Sequence, residues 1–350
     1  MNIKSLLLGS AAALAAVSGA QAADAIVAAE PEPVEYVRVC DAYGTGYFYI
    51  PGTETCLKIQ GYIRFQVDWS AGDIADQTYG GEDWSARTRG QVAFTAKSDT
   101  EYGPLTGVIV YQANFRPNGP ANLSDSVQNS TVIDQAYIDI AGFRVGKFVN
   151  WWDADFSGET ESINNNTNFN SIRYQYDSGD FYAGLAVEEL TSFIEHGGNN
   201  IGIDGAIGGK FGAIKAELLA AYDVDAEAVA LRAVVYADIG PGTFGLAGLY
   251  ADKPNNYYKN GEWAIAAQYA VKATDKFTIT PAVQYTDSID VNADGDFDGG
   301  NEWRAGVTLD YKIVENLSTK LTVNYISQDH DNGDEDEDGV KGFFRLQRSF

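Results

Sequence analysis

Strict alternation of apolar and polar residues over long segments is the feature that most constrains the fold. Between Leu57 and Trp69 the odd positions are apolar or glycine and the even positions are polar or charged. Because successive side chains of a β-strand point to opposite faces, this period of two predicts a strand with one apolar and one polar face. The pattern recurs without an intervening helical segment, so the chain is predicted to be all-β. The repeats lie at 84–96, 105–115, 229–236, 263–271, 277–285, 303–311 and 321–325.

Short turns alternate with long polar connections between the predicted strands. Such an alternation, with short periplasmic turns and long external loops, is typical of a transmembrane antiparallel β-barrel. A strand of about twelve residues, tilted by roughly 40°, also spans the ~25 Å apolar band of such a barrel. The sixteen predicted strands are 57–70, 83–98, 104–117, 131–140, 142–148, 171–177, 180–188, 200–209, 212–222, 227–238, 242–252, 261–272, 276–287, 301–312, 317–328 and 340–350.

Aromatic residues lie near strand ends on the apolar face, where interfacial girdles of a membrane barrel are expected. A soluble β-sandwich would also alternate, but its strands usually have roughly 5–6 residues and its domains about 100. Pro281 lies in the middle of a strand in a sheet where every N–H should be paired, so a local bulge is expected there. The girdle candidates are Trp69, Trp84, Phe115, Trp263, Tyr285, Trp303 and Tyr311.

The N-terminus predicts export. A positive charge precedes an apolar run from Leu6 to Val17, and Ala20-Gln21-Ala22 offers a cleavage site before Ala23. This is the pattern of a secretory signal peptide over residues 1–22. The alternative, a membrane anchor, needs roughly 18 or more apolar residues. The run is shorter and interrupted, so the mature chain is expected to start near Ala23.

The chain is strongly acidic. Removing the predicted signal peptide, which carries one lysine and no acid, changes the formal net charge from −25 to −26. This charge argues against nucleic acid or anionic lipid as a partner, and it favours weak cation preference for a pore.

Cys40 and Cys56 are the only two cysteines. In an exported protein they are expected to form one disulfide, closing a short loop near the mature N-terminus. Two separate buried thiols are the alternative. Residues 23–56 are accordingly predicted to be a periplasmic lead, and residues 57–350 the transmembrane barrel.

No enzyme, cofactor or metal site is predicted. His196 and His330 both fall in predicted external loops, and no Ser/His/acid set, metal cluster or phosphate-binding glycine loop is recognisable. The segment from Asp290 begins like a calcium loop, but its twelfth position is Asn301, and strands rather than helices flank it. Whether the acidic loops bind divalent ions loosely, or only form a solvated surface, stays open.

Several segments resemble the alphaproteobacterial general porins of Rhizobium and Brucella relatives. They are residues 37–57, 61–64, 98–103, 141–147 and 347–350, with the block from Cys40 to Cys56 the most specific. The resemblance implies a sixteen-stranded homotrimeric channel of the outer membrane for passive diffusion of small hydrophilic solutes and ions. It also implies contact with lipid and lipopolysaccharide. Phe350 would be the terminal aromatic residue read by the barrel-assembly machinery, although Arg348 departs from a purely apolar version of that signal.

Alternation also assigns charged residues to the lumen. Arg64, Arg87, Arg89 and Arg173 have lumen-facing parity, as do Arg232 and Arg304, and the first three lie on adjacent strands.

In the related porins the third external loop folds inward and narrows the pore, and the segment 150–170 corresponds to it. The resemblance implies that this loop sets its carboxylates against the arginines, producing a transverse field that favours polar solutes. Those carboxylates are Asp153, Asp155, Glu159 and Glu161.

Two alternatives to this constriction stay open. The charges would otherwise only hydrate the lumen and the loop. A substrate-specific channel, such as a sugar-selective one, would instead line its lumen with an aromatic ladder, for which Trp151, Trp152 and Tyr62 are candidates.

Overall fold

The computed structural model describes residues 38–75, 83–116, 130–164, 168–190 and 200–350, which form seventeen strands and three short 3-10 helices. The predicted signal peptide and His196 lie outside these ranges. No helix within them is long and apolar enough to span a membrane. The 3-10 helices are Asp41–Tyr43, Asp73–Ala75 and Trp151–Asp153. The strands are β1 (Tyr47–Tyr49), β2 (Cys56–Gly72), β3 (Trp84–Thr100), β4 (Gly103–Phe115), β5 (Thr131–Ile140), β6 (Phe143–Val149), β7 (Asn168–Asp177), β8 (Phe181–Glu189), β9 (Ile201–Phe211), β10 (Ile214–Asp223), β11 (Ala228–Ile239), β12 (Gly242–Ala251), β13 (Trp263–Lys272), β14 (Phe277–Asp287), β15 (Asn301–Val314), β16 (Leu317–Asp329) and β17 (Glu337–Ser349).

Strands β2 to β17 close into one antiparallel barrel. Each pairs with the next along the chain, and β17 returns to pair with β2, for example Arg345 opposite Gln66. Closure leaves no open sheet edge among these strands. An open edge would expose unpaired N–H and C=O groups to the hydrocarbon core of a membrane, where they are not tolerated. The predicted sixteen-stranded all-β barrel is confirmed.

Strand β1 is additional and was not predicted, because three residues are too few to show alternation. It pairs with the first residues of β2, with Tyr47 opposite Lys58. Strand β17 pairs with β2 as far as Tyr62, and Phe350 bonds to Gly61 just beyond it. Strand β1 covers the first residues of β2, which this pairing does not reach. The predicted disulfide between Cys40 and Cys56 is confirmed and ties this N-terminal segment to β2.

The two faces of the barrel are inverted relative to a soluble protein. Apolar side chains such as Leu246 and Ile109 are exposed on the outside, whereas polar side chains such as Gln284 and Thr308 are buried inside. Aromatic rings of the predicted girdle meet on the outer face, where Tyr285 packs between Trp263 and Trp303 with ring centroids 5.2 and 4.8 Å apart. This is the arrangement of a membrane barrel and not of a β-sandwich.

The inner face is chemically uneven. On β2, β3 and β17 it carries charged and amide side chains, whereas on β8 to β13 alanines and leucines separate single polar residues such as Arg232 and Glu188. Alanines at these inward positions give the wall a smooth strip on which another segment can pack. We call this surface the apolar strip; it includes Ala186, Ala206, Leu219, Ala221, Ala230, Ala247, Leu249, Ala264 and Ala266.

The prediction of a bulge at Pro281 is wrong. Pro281 pairs with Val307 of β15 in an unbroken register. On the other side the register is also unchanged, and the ladder is only interrupted between Gln268 opposite Ala282 and Val271 opposite Ile279. The missing N–H of proline is therefore accommodated by a local loss of pairing and not by an extra residue.

If the strands cross the membrane, a charged side chain on the outer face should cost more unfolding free energy at the middle of a strand than near its end. Leu246 lies at the middle of β12 and Tyr250 near its end, both on the exposed face. Leu246→Arg is expected to cost about 2–4 kcal/mol of unfolding free energy and Tyr250→Arg about 0–1 kcal/mol, because the membrane midplane solvates charge least. Urea unfolding of protein inserted in lipid vesicles measures both; equal costs would contradict the orientation.

Candidate pore constriction

A loop lies inside the barrel, against its inner wall. We call Asn150–Asn164, which follows β6, the inner loop. It begins with a 3-10 helix capped by Asn150, whose side chain accepts a hydrogen bond from the Trp152 backbone N–H at 3.0 Å. Trp152, Phe156 and Ile163 are buried in one cluster with the apolar strip. Hydrophobic burial therefore holds the loop against one side of the wall, and that side of the lumen is filled.

Hydrogen bonds hold the middle of the inner loop to the wall formed by β13 to β16. The wall supplies neutral amide and hydroxyl groups, which match the backbone groups of a segment without secondary structure. Gln268, Gln284 and Thr308 are nearly or fully buried under these bonds. The bonds are Gly158 N to Gln268 Oε1 (2.9 Å), Glu159 N to Thr308 Oγ1 (3.0 Å), Thr160 Oγ1 to Asn324 Oδ1 (2.7 Å) and Ser162 N to Gln284 Oε1 (2.7 Å).

Arg232 joins the two ends of the inner loop. Its guanidinium donates to the carbonyls of Trp151 and Trp152, both at 2.9 Å, and to that of Ile163 at 3.4 Å. The side chain is fully buried and lies 3.6 Å from Glu217. Parity correctly points Arg232 inward, but the residue lies beneath the loop and does not line open lumen.

Four arginines form a basic wall on the opposite side. Arg64 lies directly across from Arg89, and Gln66 lies between Arg87 and Arg345 in register. We call Arg64, Arg87, Arg89 and Arg345 the basic wall. The structure thus brings together the three arginines predicted to be adjacent and adds Arg345.

Neutral amides orient three of these four guanidinium groups, those of Arg64, Arg89 and Arg345. An amide oxygen fixes an arginine without cancelling its charge, whereas a carboxylate would do both. Within the described residues Arg64, Arg87 and Arg89 form no ion pair. Arg64, Arg87 and Arg89 therefore keep their positive charge, whereas Arg345 is paired with Glu159. The bonds are Arg64 Nε to Gln347 Oε1 (2.8 Å), Arg89 Nε to Asn114 Oδ1 (2.7 Å) and Arg345 Nε to Gln66 Oε1 (2.7 Å).

The acids of the inner loop have different surroundings. Glu159 reaches the basic wall, accepting bonds from Arg345 Nη1 at 3.2 Å and Lys320 Nζ at 2.9 Å. Asp155 accepts a bond from Asn164, so it is held within the loop.

Glu161 is also held within the loop, by the Phe156 N–H, and Asp153 is exposed at the end of the 3-10 helix. Glu159 is therefore in direct contact with the basic wall, through Arg345.

Arg173 does not belong to the basic wall. It lies across from Arg144 on β6 and β7, with its guanidinium 4.9 Å from the Trp151 ring and 5.0 Å from the Phe148 ring. Sequence reasoning missed Arg345 and Lys320 as site residues. Both have lumen-facing parity on their strands, so the alternation that selected the other arginines could have found them.

The structure offers no evident place for a metal among the residues it describes. No group of three or more acidic, histidine or cysteine side chains is arranged to hold an ion there. The calcium-like loop is engaged otherwise, since Asp290 accepts hydrogen bonds from the backbone N–H groups of Asp331 and Asn332.

Known proteins share both the sequence and the architecture. A family model described as Porin subfamily matches residues 24–343. Outer membrane protein IIIA of Rhizobium leguminosarum bv. viciae is 52% identical over 98% of this chain and 93% of its own length. Porin Omp2b of Brucella neotomae is 33% identical over the full length of both chains.

Solved structures share the fold at low sequence identity. The outer membrane channel DcaP of Acinetobacter baumannii superimposes with a TM-score of 0.66 at 12% identity, covering 86% of this chain and 99% of that one. A loop L8 deletion mutant of OmpT from Vibrio cholerae gives a TM-score of 0.64 at 12% identity, covering 85% and 100%.

A closed sixteen-stranded barrel with an apolar outer face and a loop folded into its lumen is a channel protein of the outer membrane. The chain belongs to the porin subfamily, as its resemblance to the Rhizobium and Brucella porins predicts.

A histidine–aspartate contact links two external loops. His330 Nδ1 lies 2.6 Å from Asp290 Oδ1, joining the loop after β16 to the loop after β14. This bond raises the pKa of His330 above its ordinary 6.5, and Asp334 and Glu337 act in the same direction. Burial acts to raise the pKa of Asp290, but the bonds from His330, Asp331 and Asn332 outweigh it, so that pKa is lowered.

The raised pKa of His330 and the lowered pKa of Asp290 predict that the contact between the two residues weakens at alkaline pH. A histidine with a raised pKa contributes stability that is fully present below about pH 6.5 and is lost as pH rises through the raised value. Asp290 contributes above its ordinary pKa and loses this only as pH falls through the lowered value. The amides of Asp331 and Asn332 should therefore be better protected from hydrogen exchange at pH 6 than at pH 9, after correction for intrinsic exchange. His330→Gln is the control that should remove the difference; equal pH dependence in the two proteins would refute the contact.

Proposed function

We propose that the protein is a general porin whose constriction lies between the inner loop and the basic wall. The observation that carries this is the division of the lumen: the inner loop fills the side along the apolar strip, so that solutes pass along the arginines. A barrel of sixteen strands is wide enough to keep an aqueous channel beside such a loop.

The charges at this constriction define what passes. Arg64, Arg87 and Arg89 present positive charge that no ion pair cancels within the described residues, and Asp153 is exposed on the loop. A transverse field between them orients water and polar solutes. It disfavours apolar molecules, because they displace oriented water without interacting with the field themselves. Small hydrophilic solutes and ions are the proposed cargo.

A general porin is favoured over a sugar-selective channel. An aromatic ladder would expose tryptophan faces to the lumen, but Trp151 and Trp152 are buried against the wall. Tyr62 stacks under Arg64, with the guanidinium carbon 4.7 Å from the ring centroid. These positions support diffusion through a charged constriction without a sugar-binding track.

Assembly follows from the same proposal. OmpT of Vibrio cholerae, of similar fold, has been described in a trimer form, and we propose a homotrimer here. Phe350 is exposed and pairs its backbone with Gly61, and we propose that it is the residue read by the barrel-assembly machinery. Residues 1–22 are proposed to be a cleaved signal peptide, and lipopolysaccharide to be the lipid that meets the external loops.

Single-channel recording in a planar bilayer tests the function. The purified protein is expected to give large ohmic current steps in groups of three, and the reversal potential across a salt gradient reports selectivity. The triple variant Arg64→Gln, Arg87→Gln, Arg89→Gln should shift selectivity toward cations. A unit charge about 8 Å away in water contributes about 0.5 kcal/mol, so each lost charge changes ion partition about two-fold.

Arg348→Gln is the matched control. It removes one positive charge by the same Arg-to-Gln change, but from the exposed face near the end of β17, and should leave selectivity unchanged. No current steps from a correctly folded sample would contradict the porin assignment. Steps with equal shifts in both variants would instead place the constriction away from the basic wall.

A further inference from the structure

The loop between β12 and β13, residues 252–262, turns into the barrel. External loops of this length are normally solvated, yet Asn255, Tyr257 and Tyr258 are fully buried. Asn255 caps the turn by accepting bonds from the Tyr257 and Tyr258 N–H groups at 2.9 and 3.0 Å. Asp223 on the wall accepts bonds from both the backbone and the side chain of Asn256. The loop is therefore fixed in an inward conformation by hydrogen bonds within its turn and to Asp223 of β10.

Tyr257 places its ring beside the start of the inner loop. Its ring centroid lies 5.8 Å from that of Trp152 and 6.0 Å from that of Phe169. The wall makes room for it at Gly202, where a Cβ atom would lie 2.1 Å from the Tyr257 hydroxyl. A side chain larger than hydrogen at this position would displace the tyrosine.

The Tyr257 hydroxyl acts on the inner loop through Glu188. It donates to Glu188 Oε2 at 2.8 Å, and Asn150 Nδ2 donates to the same oxygen at 3.1 Å. Asn150 in turn accepts the N–H of Trp152, which begins the inner loop. Because Glu188 is buried, each donor that it loses leaves a carboxylate oxygen less well satisfied where water cannot replace it.

The same loop holds the other end of the inner loop. Asn260 donates from Nδ2 to Ser162 Oγ at 2.8 Å and to the Ser162 carbonyl at 3.1 Å. Contacts at Asn150 and Ser162 therefore fix the inner loop near both of its ends from the extracellular side. Arg232 fixes the same ends from the wall, so removing either support frees the loop in part.

We propose that the β12–β13 loop is a second inward loop that sets the position of the inner loop, with Tyr257 as a positioning residue of the constriction. This rests on the proposed function, since it deepens the account of how the constriction is held. The width and steadiness of the pore then depend on an external loop that does not line the basic wall.

Tyr257→Phe tests the proposal in single-channel recordings. The variant keeps the ring and its packing but removes the bond to Glu188. Loss of one hydrogen bond to a charged group corresponds to a factor of about ten or more in the population of the displaced loop. We expect the time spent in substates of altered conductance to rise by about that factor, with a changed exclusion limit for polyethylene glycols of graded size. The heat-modifiable migration of the variant in gel electrophoresis, which reports a folded barrel, should be unchanged.

Tyr258→Phe is the matched control, because this neighbouring buried tyrosine donates no hydrogen bond to the inner loop. Asn260→Ala tests the second end of the loop and should produce the same substates. If Tyr257→Phe and Asn260→Ala both conduct as steadily as Tyr258→Phe and the unmodified protein, the positioning role is refuted. A recording of the unmodified protein distinguishes the porin function from the positioning role of Tyr257. If the unmodified protein does not conduct, the porin function itself is refuted.

Discussion

Backbone hydrogen bonding in a medium without water is the constraint on which the rest of the structure depends. In hydrocarbon an unpaired N–H or C=O costs several kcal/mol, so a sheet that crosses a membrane must close on itself. Pairing of β17 with β2 achieves this closure, and β1 covers the short stretch of β2 that β17 does not reach. Closure in turn defines an inside and an outside, and the alternation of each strand assigns polar residues to the first and apolar residues to the second.

The proposed position of the pore rests on the uneven inner wall. Alanines on β8 to β13 offer an apolar surface inside an otherwise polar lumen, and Trp152 and Phe156 of the inner loop cover it. Water is displaced from that side, and in the proposed function the remaining passage runs beside the basic wall. Because amides rather than carboxylates orient most of these arginines, the passage keeps a charge opposite in sign to the net charge of the chain. If the proposed constriction is correct, a permeating ion meets this local charge and not the overall acidity of the chain.

Much of the barrel could be predicted from the sequence because a period of two is a local signal that every strand repeats. All sixteen barrel strands and the Cys40–Cys56 bridge followed from it and from the cysteine count. The lumen-facing arginines followed from parity, but parity cannot tell open lumen from lumen filled by a loop, so it did not show that Arg232 is buried. The inward turn at Tyr257 could not be predicted at all, because its partners Glu188 and Trp152 are distant in sequence and an aromatic pair in a loop has no periodicity. The bulge predicted at Pro281 is absent because a strand can lose two successive pairs without changing register.

Thiol accessibility within the lumen tests the central claim, that the inner loop fills one side of the barrel and leaves the other open. Both native cysteines are bonded to each other, so a single introduced cysteine is the only free thiol. Ala93→Cys lies on the open side, in a lumen cavity of about 450 Å³, and Ala247→Cys lies buried with the apolar strip. The account predicts that a charged methanethiosulfonate reagent reduces the current through the first variant rapidly and leaves the second unmodified. Equal rates of modification at the two positions would contradict it.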